Sequence, residues 1–188
     1  MKPKVAFLVY LPSKQRRSNN SFEGNGNIGA LVIEDILKKN GIPIDRCAPE
    51  MAHKYELVLV SFTSNFDILA FYKSVAKRKM WQPGKRTFKV LCGGFGMQNP
   101  SLIKDYIDYA FFGRAESWVY SIVDTILGGG IPTHPSLMNL PDIHEVTISQ
   151  ADEMVSINDY HESFTGCPHK CMFCHYTWAR KYKDIRRS

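Results

Sequence analysis

Three cysteines fall within eight residues near the end of this chain: Cys167, Cys171 and Cys174, spaced C-x3-C-x2-C. Thiolates set this close on one loop can ligate a single metal centre. Three of them around a 4Fe–4S cluster leave one iron without a protein ligand, and that iron can bind a small chelating molecule. Gly166 precedes the trio, Pro168 fits a turn, and Phe173 stands just before the last cysteine. His169 and His175 lie in the same stretch, so a Cys/His zinc knuckle is an alternative. Zinc sites usually pair their ligands as C-x2-C with a second pair farther along, and none follows here. A disulfide suits the stretch less well. The count of five cysteines is odd, and their density is not that of a secreted scaffold.

The elements that would position this loop read as an α/β succession. Lys4 to Leu11 is an apolar first strand; the run is short for a signal peptide and no cleavage site follows it. Pro12 to Gly26 is a polar loop. Asn27 to Asn40 is an amphipathic helix with Ile28, Leu31, Val32, Ile36 and Leu37 on its apolar face, stopped by Asn40-Gly41. Ile42 to Cys47 is a second strand, where Cys47 serves as a small apolar residue. Leu57 to Phe62 is a buried third strand. Phe66 to Lys79 is the next helix, with Phe66, Leu69, Ala70, Val75 and Ala76 toward the core. A turn at Trp81 to Lys85 leads to the fourth strand, Phe88 to Cys92, which runs straight into Gly93-Gly94-Phe95-Gly96. A short helix opens at Asn99-Pro100-Ser101, Tyr109 to Phe112 is the fifth strand, and Glu116 to Leu127 is a helix ended by three glycines.

Strands alternating with helices give a doubly wound, parallel five-stranded sheet of Rossmann-like type. Ligands of such sheets bind at the carboxyl ends of the strands, at the topological switch point. The loops there are Pro12–Gly26, Ser61–Asn65, Gly93–Gly96 and Gly113–Glu116. Ile131 to Asp142 carries Pro132, Pro135 and Pro141 without a period and reads as linker. The organisation expected is therefore a first domain over 1–130, a linker over 131–157, and a second domain beginning over 158–188. In that second domain Glu162 to Thr165 is a strand, the cysteine loop follows, and Tyr176 to Arg187 begins a helix.

At 188 residues, 44% hydrophobic and 22% charged, the chain has an ordinary globular composition. No stretch reaches membrane-spanning length. Unpaired cysteines without an export signal suggest a reducing cytoplasm. The formal net charge is +6. Most of the excess lies in the tail from His175, where Arg180, Lys181, Lys183, Arg186 and Arg187 stand against Asp184. A second basic run, Lys73 to Lys89, contains no acid. Tyr176, Trp178 and Tyr182 among the tail cations fit an RNA-facing surface, while a solvated face is the simpler reading of both runs.

The trio with its aromatic resembles the signature of the radical S-adenosylmethionine (radical SAM) enzymes, over the last quarter of the chain. The succession strand–Ser61-Phe62-Thr63–helix, strand–Gly93-Gly94, then strand–Gly113-Arg114-Ala115-Glu116 is similar to the cobalamin-binding domain that precedes the barrel in many of those enzymes, over residues 1 to 130. The resemblance implies that Cys167, Cys171 and Cys174 hold a 4Fe–4S cluster. It implies that the open iron takes the amino and carboxylate groups of S-adenosylmethionine, and that Phe173 packs by the adenine. Reductive cleavage then gives a 5′-deoxyadenosyl radical. In cobalamin-using members the outcome is typically methyl transfer, in some a ring rearrangement. It also implies that Gly93 and Gly94 let backbone approach the corrin's nucleotide tail, with Ser61, Thr63 and Gly113 around it. Glu116 reads instead as a helix N-terminal acid near the dipole.

This sequence departs from the family. No Asp-x-His-x-x-Gly follows the first strand; Asp142-Ile143-His144 lies in the linker and lacks the glycine. Fourteen residues follow Cys174, whereas a full (β/α)8 barrel needs about 200. The expectation is that this chain alone is not a competent enzyme: it is the N-terminal piece of a split enzyme whose partner chain carries the rest of the barrel, a fragment, or a truncated remnant. Without the family, the same residues describe an α/β ligand- or partner-binding module with a zinc loop.

Overall fold

The structure is a computed structural model that describes residues 3–9 and 28–150, together with 156–157, 160–161, 164–165, 169 and 183–184. Six strands form one sheet in the order β2-β1-β3-β4-β5-β6. These are β1 (Val5–Leu8), β2 (Ile44–Cys47), β3 (Leu57–Ser61), β4 (Lys89–Gly93), β5 (Tyr109–Phe111) and β6 (Leu137–Asn139). The first five run parallel to one another. β1, β3 and β4 are continuous apolar runs because a doubly wound sheet is covered on both faces.

Successive residues alternate between two cores. Ala6, Leu8, Val58, Val60, Val90 and Cys92 face one core, with Ile68, Phe71 and Val75 of α2 (Asn65–Val75). Val5, Phe7, Leu57, Leu59 and Leu91 face the other, with α1 (Ile28–Lys39) and α3 (Val119–Leu127). α1 carries two surface ion pairs at i,i+4 spacing, Glu34–Lys38 and Asp35–Lys39.

Three sequence expectations are corrected. First, the sheet has six strands rather than five. β6 lies within the stretch read as linker and pairs antiparallel with β5, Phe111 opposite Leu137 and Tyr109 opposite Asn139. An edge strand tolerates prolines close to its ends, which is why Pro135 and Pro141 hid it. Second, α2 turns a different face inward. Phe66 is 80% exposed and Leu69 45%, while Ile68, Phe71 and Val75 are buried. The helix's first turn sets that phase. The Asp67 carboxylate accepts the backbone N–H groups of Thr63 (2.7 Å) and Ser64 (2.9 Å), the returning half of a capping box. Third, Trp81 is a core residue rather than a turn residue. It is fully buried, packs edge-on against Phe71 and Phe88, and donates its indole N–H to Pro49 O at 2.8 Å.

Beyond the sheet, β7 (Ser156–Ile157) pairs with β8 (Tyr160–His161), and β9 (Phe164–Thr165) pairs antiparallel with β10 (Lys183–Asp184). Lys183 and Asp184 were expected in a helix. Their backbone groups pair with β9 instead of with carbonyls four residues back. The ends of the segment 166–182, which contains all three loop cysteines, are therefore held one strand spacing apart, about 5 Å. Among the described residues no helix is long and apolar enough to cross a membrane.

Candidate functional site

The carboxyl ends of β3, β4 and β5 bring together four of the five residues predicted around a cofactor in the first domain. Ser61 ends β3, Gly93 ends β4 directly opposite it, and Gly94 follows. Gly113 lies just past β5. Ser61, Gly93 and Gly94 line a narrow groove on the α1/α3 face of the sheet, together with Phe7, Ala115 and Val119. Gly94 and Gly113 also line a larger crevice on the opposite face. Thr63 lines neither. Its N–H and hydroxyl both donate to the Asp67 carboxylate, at 2.7 and 2.8 Å, so it works in the cap of α2.

The three glycines differ in what they accommodate. Gly94 has φ +92°, and a Cβ there would lie 2.5 Å from Phe62 O. Gly113 has φ +97°, and a Cβ would lie 2.2 Å from Ser149 O. Both positions need glycine for backbone conformation and for close approach of the chain's own backbone. At Gly93 a Cβ would meet only an ordinary contact, 3.6 Å from Phe111 O. The cradle expected for a cobalamin tail is thus filled by protein at two of its three glycines. The groove beside Ser61 and Gly93 measures about 60 Å³, the room of about two waters.

The crevice on the other face is about 350 Å³, within the size range of small-molecule sites. Residues 143–148 form its outer wall. They belong to a strap fixed by backbone hydrogen bonds: Thr147 N–H to Pro135 O (2.8 Å), Ser149 N–H to Phe112 O (3.0 Å) and Arg114 N–H to Ser149 O (3.0 Å). Ser149 thereby bridges Gly113 in parallel sense, and that crossing is what requires glycine there. Below the strap, the buried Arg114 guanidinium pairs with Glu116 at 2.8 Å. Glu116 precedes α3 by three residues, and this ion pair gives its carboxylate a more specific partner than the helix dipole.

Cys47 and Cys92 are buried. Burial pushes the Cys47 thiol up to about 12, with the Asp45 carboxylate adding to it. Burial raises Cys92 well above the ordinary thiol range. Neither offers a thiolate near neutral pH. Cys167, Cys171, Cys174 and Phe173 lie outside the described residues.

Neither a comparison with family models nor one with curated protein sequences finds a match. Two solved structures of TsrM, a radical S-adenosylmethionine methyltransferase from Kitasatospora setae, are similar to this chain. The one with cobalamin and a [4Fe-4S] cluster bound matches over 97% of this chain and 43% of its own, at 13% identity and a TM-score of 0.54. The one with tryptophan substrate and a SAM analogue (aza-SAM) bound matches over 72% of this chain and 28% of its own, at 15% identity and a TM-score of 0.46. The first likeness shows the fold. This chain spans less than half the length of either solved chain.

The sequence reading missed the crevice's walls. Met97 and Met138 are buried side chains of the α2-side core that also line it. His144 stands in its outer wall, with Nδ1 3.2 Å from Asp142 O. The signal available was the Asp142-Ile143-His144 triplet. Only the strap's hydrogen bonds carry it to the strand ends.

Proposed function

We propose that this chain provides the cluster-binding part of a radical SAM enzyme. The observation that carries the reading is Cys167-x3-Cys171-x2-Cys174, with Phe173 before the last cysteine, downstream of a doubly wound sheet of order 2-1-3-4-5. The fold shared with a solved radical SAM methyltransferase supports the same reading. In this reading the three thiolates hold a 4Fe–4S cluster whose fourth iron is left to the amino and carboxylate groups of S-adenosylmethionine, and Phe173 packs by the adenine. When bound, the cluster supplies the electron that breaks a carbon–sulfur bond of S-adenosylmethionine.

The chain's own contribution is positional. Pairing of β9 with β10 closes the segment that contains the cysteines, Thr165 opposite Lys183 and Phe164 opposite Asp184. Cys167 then lies two residues beyond a fixed strand end. Closing the segment reduces the chain entropy lost when three thiolates converge on one centre.

Anaerobic reconstitution with iron and sulfide tests this. The expected product is brown and carries about four irons per chain. Cys171→Ala should lose more than half of that iron. Stoichiometric zinc with no iron, or an unchanged iron content in the variant, would overturn the proposal.

A further inference from the structure

We infer that the crevice at the carboxyl ends of β4 and β5 is a binding site for an uncharged, planar heteroaromatic molecule. It is separate from the cysteine loop and does not depend on the reading of that loop. No Asp, Glu, Lys or Arg lines it. A charged ligand would lose its hydration there with no countercharge in return, at a cost of several kcal/mol, so the occupant is neutral.

The walls are apolar and soft. Met97 and Met138 present thioethers, which favour contact with aromatic rings, and Phe112 adds a ring of its own. Ile143 and Ile148 lie in the outer wall yet remain 50% and 38% exposed. The strap holds these two apolar side chains at an open crevice through the hydrogen bonds at Thr147 and Ser149. An apolar occupant would remove that surface from water. The volume of about 350 Å³ suits a ligand of roughly 9–15 non-hydrogen atoms.

Three polar side chains line the crevice, Gln98, Asn99 and His144, and the last two give direction. Asp142 O can only accept, so the His144 ring places its proton on Nδ1 and leaves Nε2 as an acceptor in the neutral ring. Asn99 Oδ1 already accepts the Ser101 N–H at 2.9 Å, which leaves its amide N–H groups to donate. Through His144 and Asn99 the site offers an acceptor and a donor, matched by a ring system with a ring N–H and a ring nitrogen lone pair.

The test is a titration of the full chain with azaindole, which has both features, followed through the methionine methyl resonances. Met97→Leu and Met138→Leu assign the two signals. The expected result is a saturable shift of the Met97 and Met138 methyls with Met51 unmoved. Binding should weaken about tenfold in His144→Ala. It should vanish in Ile148→Trp, whose side chain fills the crevice from the exposed strap without touching the core. Benzoate, flat but charged, should give no saturable shift. The inference is overturned if azaindole at millimolar concentration moves neither methyl, if the shifts survive Ile148→Trp, or if benzoate binds as well.

Discussion

Gly94 and Gly113 sit where the chain turns over the ends of its own strands, and each is crowded by backbone rather than by open space. Positive φ adds to the cost of any side chain. Gly94→Ala and Gly113→Ala should each destabilise the protein by about 2–3 kcal/mol. Gly93→Ala should change stability by less than about 1 kcal/mol, since its Cβ would meet only an ordinary contact. Urea unfolding of the three variants measures this, and equal losses at all three positions would refute the distinction. The glycines themselves were legible, because each follows directly on an apolar run. Their reasons were not, because Phe62 lies 32 positions from Gly94 and Ser149 lies 36 from Gly113 in sequence. His144 was hidden for a like cause: its proline-rich surroundings have no period, and its place is fixed by a strap that exists only after folding.

β1, β3, β4 and β5 were readable as elements because burial on both faces makes each largely a continuous apolar run. α2 was readable as a helix but not in its rotation. Phe66, Ile68, Leu69, Phe71, Tyr72 and Val75 spread apolar side chains around the helix, so periodicity alone does not choose a face, and the cap at Asp67 does. β6 is three residues long and owes its existence to the edge of β5. Its attachment has a pH dependence. The His134 ring stacks between Phe111 and Trp118, at 5.3 and 4.6 Å between centroids, and Nδ1 accepts the Ser136 N–H at 3.0 Å. Burial lowers its pKa below 6.5, and a proton on Nδ1 would break the hydrogen bond. The unfolded chain therefore binds the proton more readily than the folded one. The stabilisation is present above pH 6.5 and is lost as pH falls through the folded-state value. Melting temperature should drop as the solution is acidified below pH 6.5, and His134→Phe should flatten that part of the profile. An equal acid slope in the variant would assign the effect to other groups.

At the scale of the molecule, a doubly wound sheet with an antiparallel sixth strand stands ahead of a closed segment rich in thiols. The sheet's order places β1 between β2 and β3, so the switch point falls between β1 and β3, where such folds bind their ligands. Sequence alone indicated the fold class and the cysteine spacing. The crevice, the filled glycine cradle and the β9–β10 closure depend on contacts between distant residues and appear only in three dimensions. The central claim is that three thiolates leave one iron open to S-adenosylmethionine. Electron paramagnetic resonance of the reconstituted, dithionite-reduced protein, recorded with and without S-adenosylmethionine, tests it most directly. The account predicts a 4Fe–4S signal whose shape changes when S-adenosylmethionine is added and which is lost in Cys171→Ala; a cluster signal indifferent to S-adenosylmethionine, or no cluster signal at all, would contradict it.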